Sequence, residues 1–492
     1  MRWLDLGVIV LYLAGITWFG AHFRGGQQSL KDYFLGGRRA PWWAIALSIV
    51  SAETSTLTVI GTPALSFNGS FVFLQLVFGY LLARVVISTI FLPAYFRGEM
   101  YTAYELMRVR FGPRIRKLTA GTFLVLRALA EGVRVFAISI VIGIVLGTGE
   151  MASIIAILCL TLIYTYEGGL TAVIWTDVVQ MALYVVGALA SLWAILGEIP
   201  GGWSHVASVA APLGKFQVFD FRLFDLKPGA PAEFFARTYS FWGGILGGCF
   251  LTTASHGTEQ LMVQRLLAAS NERDSRKALF ASWVVIMAQF TLFLAIGVCL
   301  FTLYSDNHWQ TPAVTDSIYP KYIWEHLPPG AAGLIVAAIL AAAMSNLSAA
   351  LNSLASTTVM DFLRPAFGSP EAGSGDDSVW LRRARLATVA WAAVLLGVAL
   401  LARHWGSVLQ AGLSIASIIY GSLLGVFLLG LLTRRVGEIA AMCGMVAALA
   451  VMLFVRFATH IAFTWYVLIG TSAAFAVGVA VSYVIHEEPK HG

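Results

Sequence analysis

The sequence predicts an all-α integral membrane protein, and three observations lead to this fold class. Hydrophobic residues make up 58% of the 492 residues. Only 12% are charged, about half of what a soluble globular protein carries. The apolar residues form long continuous runs instead of alternating every second residue, which favours helices over a transmembrane β-barrel. This composition excludes a soluble enzyme, a disordered chain and a nucleic-acid-binding protein.

The apolar runs predict about thirteen transmembrane helices in a lipid bilayer, because a helix needs roughly 20 apolar residues to cross the hydrocarbon core. The predicted spans are 3–23, 42–66, 70–96, 116–147, 150–165, 173–197, 238–264, 278–304, 330–362, 384–402, 406–432, 437–456 and 460–485.

The basic residues predict the orientation of these spans. With the N-terminus outside, 21 of the 32 Lys and Arg residues fall in the inside loops. Cytoplasmic loops carry such an excess of positive charge. We therefore expect a multi-pass protein of the plasma (inner) membrane, with its N-terminus outside and its C-terminus in the cytoplasm.

Two of the predicted spans are unusually rich in residues that weaken a helix. The second, Pro41–Phe67, holds a run of Ser and Thr, and the seventh, Ser240–Arg265, holds two Gly-Gly pairs followed by Ser, Thr and His. Glycine destabilises helices, and Ser and Thr compete for their backbone hydrogen bonds. Such segments can cross a membrane only where the unwound backbone lines a cavity. Breaks are expected near 51–62 and 247–258.

Interrupted spans in matching positions indicate an inverted-repeat transporter. Spans two to six and seven to eleven form two blocks of five, each opening with a broken helix. The predicted divisions are a first helix and cytoplasmic loop (1–41), repeat one (42–200), an extracellular loop (201–237), repeat two (238–435) and two peripheral helices with a cytoplasmic tail (436–492). Alternatively, the small residues serve only close helix packing, but that would not require Glu53 and Glu259 near mid-membrane.

The ninth span carries a polar face. Ser345, Ser348, Asn352 and Ser356 recur at helical spacing, and Asn346 lies at the edge of the same face. Hydroxyl and amide oxygens beside unwound carbonyls suit a monovalent cation, whereas a divalent ion would require more carboxylates. A stripe that only packs helices together is the alternative.

Four sequence stretches carry a resemblance to a known family. They are DYFLGGRRAPWWAIALSIVSAETS (32–55), YEGGLTAVIWTDVVQ (166–180), EQLMVQRLLA (259–268) and AAAMSNLSAALNS (341–353). With them, residues 4 to 435 resemble the sodium/solute symporter family of sugar, proline, pantothenate, sialic acid and monocarboxylate carriers. The resemblance implies a LeuT-type five-plus-five inverted repeat, with one extra N-terminal helix and two extra C-terminal helices.

The resemblance also implies a sodium site. Its ligands would be the backbone carbonyls of Ser51, Thr54 and Ala342 and the side chains of Ser345 and Asn346. The family commonly has a hydroxyl residue where Asn346 stands, and an amide oxygen can replace it. Asp177 matches an acidic residue on the sodium exit path of the family. Alternatively, Thr176 and Asp177 cap the start of the sixth span.

A solute site is expected between the broken helices. A buried charge in lipid is unfavourable by about 2.5–3.5 kcal/mol on insertion scales, so charged groups there pair or serve function. Either Arg127 or Arg134 binds a solute carboxylate, or Arg127 pairs with Glu131 and Arg134 with Glu53 or Glu259. Arg84 has no assigned role. The candidate solute-binding residues are Glu53, Ser55, Thr58, Arg127, Arg134, Thr252, Ser255, His256, Glu259 and Ser414.

These features predict a secondary active transporter, and not an enzyme, that moves Na⁺ and a small polar organic solute together by alternating access. Na⁺ is the expected co-transported ion, and neither an organic cofactor nor a nucleic-acid partner is expected. The charged residues favour a carboxylate-bearing or zwitterionic solute, or an acidic sugar. The alternatives are a proton-coupled or exchange transporter of the same fold, in which His256 and Glu259 relay protons, and a transporter-like solute sensor. The sequence does not predict an oligomeric state.

Overall fold

The computed structural model describes residues 3–22, 29–97, 100–146, 150–222, 230–312, 315–367, 376–402 and 408–485. The first half of the chain forms α1 (Trp3–Ala21), α2 (Leu30–Leu35), α3 (Trp42–Glu53), α4 (Thr56–Asn68), α5 (Leu74–Val86), α6 (Leu92–Phe96), α7 (Ala103–Arg110), α8 (Pro113–Leu146), α9 (Glu150–Glu198), α10 (Gly202–Ala210) and α11 (Ala230–Ala236).

The second half is also helical. It forms α12 (Phe241–Gly257), α13 (Gln260–Leu267), α14 (Glu272–Asp306), α15 (Ile318–His326), α16 (Ala331–Thr357), α17 (Arg364–Phe367), α18 (Asp376–Ala402), α19 (Val408–Leu432), α20 (Glu438–Ala458) and α21 (Tyr466–Val484). The architecture is all-α, as the sequence predicts.

Among the described residues, eight helices are long and apolar enough to cross a membrane, and a bent pair of helices makes a ninth span. They are Trp3–Gly20, Phe71–Phe96, Gly169–Glu198, Glu272–Asp306, Ala331–Phe367, Val379–Ala402, Glu438–Ala458 and Phe463–Val484. Helices cover most of the described residues in the predicted spans 116–147, 150–165, 238–264 and 406–432, but these described parts are too charged or too short to be counted. The number thirteen stays a prediction.

The first predicted break lies between α3 and α4. The backbone of Thr54 is extended there, and the two helices meet at an angle of 64°. Ser55 begins α4 by accepting a hydrogen bond from the Thr58 backbone N–H. A serine N-cap satisfies one of the unpaired amides that every helix start exposes. The Ser/Thr run thus lets one helix end and another begin inside the bundle.

The second break lies at Thr258 and Glu259, between α12 and α13. It falls at the very end of the expected interval 247–258, because the Gly-Gly pairs remain helical. A Cβ atom on Gly248 would lie 2.2 Å from the Leu76 carbonyl oxygen on α5, and one on Gly247 would lie 2.5 Å from the Thr464 oxygen. These glycines serve close helix packing, and the chain breaks nearly three helical turns beyond them.

The central helix is α16. In the most apolar stretch of this span, 88% of the residues are buried inside the bundle. It packs against α9, α3 and α8. The last two helices, expected to be peripheral, pack against α19 through close glycine contacts such as Gly421 with Gly470. The segment Phe463–Trp465 between them packs onto α12, because Gly243 and Gly247 leave room for Thr464.

Candidate functional site

A cavity of about 620 Å³ lies where the two broken spans meet α8 and α19. Nine of the ten predicted solute-binding residues line it, and only the side chain of Ser414 falls outside the described part of the chain. Aromatic side chains complete its wall, and Ser417 on α19 adds a hydroxyl. Asn68, Gly69 and Thr315 also line it, and we call this end the cavity mouth.

A charged cluster of two arginines and two glutamates forms one wall of the cavity. Arg127 lies 3.0 Å from Glu131 and 3.1 Å from Glu259, and Arg134 lies 3.1 Å from Glu131. The hydroxyl of Tyr420 donates a hydrogen bond to Glu259 over 2.5 Å. Two carboxylates and two guanidinium groups balance in charge. Such pairing offsets the loss of hydration on burial.

The pairing expected for Arg134 is wrong. Its partner is Glu131, three residues earlier on the same helix, and not Glu53 or Glu259. The reason is helical spacing, since residues at i and i+3 already lie side by side on α8. The expected Arg127–Glu131 pair is present, and Arg127 bridges to the second broken span through Glu259.

Glu53 occupies the first break and has two basic neighbours. Its Oε2 atom lies 3.3 Å from Nη2 of Arg84 and 3.4 Å from Nε2 of His256. Arg84 is fully buried and also donates hydrogen bonds to the carbonyls of Leu279 and Tyr80. Sequence reasoning left Arg84 without a role. A lone arginine in an apolar span signals a buried acidic partner, but does not say which one.

The predicted sodium ligands come together where α3 ends against α16. The hydroxyl oxygens of Ser51 and Ser345 are 2.7 Å apart. Nδ2 of Asn346 donates a hydrogen bond to the Thr54 carbonyl over 2.6 Å. Ala342 lies one turn before Asn346 in α16, and its side chain is outside the described part.

Asp177 lies directly beside this group. Its carboxylate accepts hydrogen bonds from Ser345 over 2.7 Å, Ser48 over 2.5 Å and Arg265 over 2.9 Å. The alternative role as a helix cap is wrong, because α9 is already helical before Thr176 and Asp177. The residue instead connects α9 and α16 with α3 and α13, one helix from each broken span.

Two buried amide oxygens near Thr54 lack a hydrogen-bond partner in the part of the chain that the structure describes. They are Oδ1 of Asn346 and Oε1 of Gln289, whose Nε2 donates to the Thr54 hydroxyl over 2.8 Å. Buried polar atoms are normally paired, and hard cations prefer oxygen ligands. The residues present therefore fit a sodium ion. Sequence reasoning missed Gln289, which comes from α14.

The comparisons with known proteins agree with this geometry. The sequence profile described as the sodium:solute symporter family matches residues 33–448. The chain belongs to the sodium:solute symporter family. Its activity is the coupled movement of Na⁺ and a solute, as the sequence predicts.

Individual relatives cover nearly all of the symporter. It is 30% identical over 460 residues to human sodium-coupled monocarboxylate transporter 1, covering 92% of this chain and 73% of the relative. It is 29% identical over 489 residues to the sodium/sialic acid symporter NanT of Aliivibrio fischeri, covering 96% and 92%. The human sodium/iodide cotransporter is 28% identical, covering 92% and 69%.

Solved structures share the fold. A Na⁺-coupled sialic acid symporter in a substrate-bound, outward-open state superposes with a TM-score of 0.87 at 25% identity, covering 98% of each chain. Mhp1, a nucleobase-cation-symport-1 family transporter in a closed conformation, superposes at 0.60 with 14% identity, covering 93% and 94%. These likenesses confirm the predicted LeuT-type fold.

Away from the cavity mouth, hydrogen bonds connect the second break to neighbouring segments of the symporter. Tyr95 donates to the Gly257 carbonyl over 2.6 Å at the end of α12. Gln260, the first residue of α13, accepts from the Ala103 backbone over 2.8 Å and donates to the Tyr101 carbonyl over 3.0 Å. These contacts join the end of α12 and the start of α13 to α6 and α7.

Proposed function

We propose that the symporter carries a carboxylate-bearing solute with Na⁺, and that Arg134 contacts the carboxylate. The observation that carries this proposal is the exposure of that side chain. It is 31% accessible at the cavity and contacts Glu131 through Nη1 alone. Arg84 and Arg127 are only 0% and 5% accessible, so their side chains are less open to a solute. Arg134 thus keeps donors available, and a guanidinium group binds a carboxylate in a fork.

The charge balance of the cavity favours taking up both ions together. The arginines and glutamates of the wall already neutralise one another, so a carboxylate alone adds one negative charge. A sodium ion at the Ser345 group adds one positive charge. Each ion therefore lowers the electrostatic cost of the other, and such coupling is reciprocal.

The dipoles of the broken helices also favour an anion in the cavity and a cation at the Ser345 group. The N-terminus of α4 at Ser55 faces the cavity and carries the positive end of a helix dipole. The C-terminus of α3 carries the negative end beside the sodium ligands. Half-helices in transporters orient anionic groups and cations in this way.

The rest of the cavity suits the body of a small organic acid. Tyr80, Tyr239 and Phe290 supply aromatic surface, while Thr58 and Thr252 supply hydroxyl groups. Ligand pockets in proteins span roughly 300–1,000 Å³, and this cavity lies within that range. It accommodates solutes from a short monocarboxylate to an acidic sugar. Three relatives are named for monocarboxylates, sialic acid and iodide, all of them anions.

Sodium would bind between the end of α3 and α16, through the carbonyls of Ser51, Thr54 and Ala342 and the side-chain oxygens of Ser345 and Asn346. The unpaired Oδ1 of Asn346 supports this assignment. An ion bridging both helices stabilises the arrangement in which they touch. When Na⁺ leaves towards the side of the membrane away from the cavity mouth, α3 and α16 can separate. Asp177 lies beside the exit path of the ion.

We further propose the topology that the basic residues indicate. The N-terminus lies outside the plasma (inner) membrane, the C-terminus lies in the cytoplasm, and residues 42–200 and 238–435 are the inverted repeats. The cavity mouth supports this orientation, because Asn68 and Thr315 belong to segments that the charge distribution assigns to the outside. Solute and Na⁺ then move inward together.

Thermal unfolding of the detergent-solubilised protein tests the solute class. Pyruvate, N-acetylneuraminate, iodide, glucose and proline are each added in NaCl and in choline chloride. A ligand at 100 times its dissociation constant stabilises by about 2.7 kcal/mol. We expect a carboxylate to raise the melting temperature in NaCl only. A shift that ignores Na⁺ but follows pH favours the proton-coupled alternative, and binding without flux in proteoliposomes favours the sensor.

A further inference from the structure

Among the described residues, two carboxylates line the cavity, and they differ in how many of their oxygens other groups occupy. Glu259 is 2% accessible, and both of its oxygens have partners. Its Oε1 lies 3.1 Å from Arg127, and its Oε2 accepts the hydrogen bond from Tyr420. Glu53 keeps 14% of its side chain accessible. A bound solute therefore reaches the carboxylate of Glu53 more readily than that of Glu259.

The neighbours of Glu53 approach only one of its two oxygens. Oε2 lies 3.3 Å from Nη2 of Arg84 and 3.4 Å from Nε2 of His256. Within the described ranges no group donates a hydrogen bond to Oε1. An ionised carboxylate offers about four lone-pair sites, and buried polar atoms are normally paired. Oε1 is therefore an acceptor that remains available at the cavity.

The charge of Glu53 is already balanced by Arg84, which is fully buried beside it. An ammonium group on a solute would bring a positive charge that the Glu53–Arg84 pair does not offset, and an uncompensated buried charge is unfavourable. A hydroxyl group can donate to Oε1 without changing this balance. The pair thus favours a neutral hydrogen-bond donor on the solute.

Arg134 and Glu53 offer complementary groups to one cavity. Arg134 keeps guanidinium donors accessible on α8, and Glu53 keeps an acceptor oxygen at the end of α3. The two side chains do not pair with each other. A solute that lies between them uses both when it carries an anionic acceptor at one position and a neutral donor at another.

We propose that the solute is a hydroxylated carboxylate, such as a hydroxy acid or a sugar acid, whose hydroxyl group donates to Oε1 of Glu53. This inference rests on the proposed function, because it takes the contact between the solute carboxylate and Arg134 as given. Hydrogen bonds to a charged group are roughly twice as strong as those between neutral groups. Glu53 then selects hydroxylated solutes over plain carboxylates and inorganic anions.

Calorimetry in NaCl tests this proposal with two matched series of acids. One series runs from propionate to heptanoate, and the other carries a hydroxyl group at the far end of the same chains. Wild type should bind the hydroxylated acid at least about tenfold more tightly at one or more chain lengths, which is within what a hydrogen bond to a charged group supplies. Amino acids with a terminal ammonium group on the same chains should bind no more tightly than the hydroxy acids.

Glu53→Gln should reduce this preference to about threefold or less, because a neutral amide oxygen is a weaker acceptor than a carboxylate. Plain acids should keep their affinity in this variant, whereas a purely structural role of Glu53 would weaken both series alike. Arg134→Gln should weaken both series. The matched control is Glu325→Gln, since Glu325 is 51% accessible on α15 and does not line the cavity. This variant should keep the wild-type preference.

Equal affinities of the two series at every chain length in wild type, or tighter binding of the amino acids, would overturn the proposal. A preference that survives in Glu53→Gln would do the same. Loss of the sodium dependence of the melting temperature in Glu53→Gln would assign Oε1 to the ion instead. Failure of every acid to bind would contradict the proposed function itself, and this inference with it. If Glu53→Gln does not fold, the double variant Arg84→Met with Glu53→Gln leaves neither charge unpaired and gives the same comparison.

Discussion

The side-chain amide of Asn346 is hydrogen-bonded to the backbone carbonyl of Thr54, with Nδ2 2.6 Å from the oxygen. This contact joins the buried core helix α16 to the broken end of α3, 292 residues away in sequence. The same amide leaves Oδ1 unpaired among the described residues. One side chain thus ties the two helices together and offers an oxygen at their junction.

Asn346→Ala should weaken sodium binding by about tenfold, equivalent to about 1.4 kcal/mol. The substitution removes both a ligand oxygen and the contact with Thr54. Asn346→Ser keeps an oxygen at the position and should stay within about threefold of wild type, a difference of less than 1 kcal/mol. Titration of the melting temperature with NaCl, at constant ionic strength in choline chloride, measures the effect. Equal sodium dependence in wild type and the alanine variant would remove Asn346 from the site.

Ser345→Ala should abolish the sodium dependence of solute binding. Its hydroxyl lies between Ser51 and Asp177 at 2.7 Å from each, so no other side chain replaces it. The solute should then shift the melting temperature equally in NaCl and in choline chloride. Ser353→Ala is the control, since that buried hydroxyl donates only to the Ala350 carbonyl in the same helix. If sodium still stimulates binding in Ser345→Ala, the site assignment is wrong.

Arg134→Gln should weaken binding of the carboxylate solute by roughly ten- to hundredfold, since a hydrogen bond to a charged group contributes about 1.5–3 kcal/mol. Arg134→Lys should recover part of the loss, because an ammonium group retains the charge but not the fork. Binding is followed by calorimetry in NaCl. Arg456→Gln, at the exposed end of α20, serves as the control and should bind as wild type does. An unchanged affinity in Arg134→Gln would assign the arginine a purely structural role.

Arg84→Met should destabilise the protein by about 3–5 kcal/mol, the usual effect of removing one partner from a buried ion pair. Glu53 would keep only His256 at 3.4 Å. The double variant Arg84→Met with Glu53→Gln should recover much of the loss, because the unpaired charge is then gone. Thermal melts of the four proteins give the interaction energy. Strictly additive effects would contradict the pairing.

Gly248→Ala should destabilise the bundle by at least about 1–3 kcal/mol, as overpacking of a close contact does. The new methyl group would meet the Leu76 carbonyl at 2.2 Å. Gly197→Ala is the matched change, because nothing lies within 4 Å of its added carbon. An exposed helical glycine replaced by alanine gains roughly 0.5–1 kcal/mol. Equal melting temperatures for the two variants would show that α5 and α12 are not in close contact.

Sequence reasoning reached the fold class and many of the site residues, because their signals are local. Long apolar runs predict spanning helices, a Ser/Thr run beside Glu53 predicts the first break, and the spacing of Ser345 and Ser356 predicts a polar face. Each of these patterns depends only on residues within one short stretch of the chain. The structure adds to them the distances that bring α3 and α16 together.

The Arg127–Glu131 pair was predictable from helical spacing, but partners that come from distant segments were not. Arg84 meets Glu53 only when α5 packs beside the first break. Gln289 reaches Thr54 from 235 residues away, and no spacing rule links them. The second break was displaced for a related reason. Glycine pairs weaken an isolated helix, but close packing against α5 offsets that weakness and keeps them helical.

The most direct test of the central claim is joint uptake of ²²Na⁺ and a carboxylate solute into proteoliposomes. N-acetylneuraminate and pyruvate are supplied outside, with NaCl or choline chloride, and with or without a pH gradient. The account predicts that a carboxylate accelerates ²²Na⁺ entry and that replacing Na⁺ by choline abolishes carboxylate accumulation. Accumulation that persists in choline chloride and follows the pH gradient would contradict it.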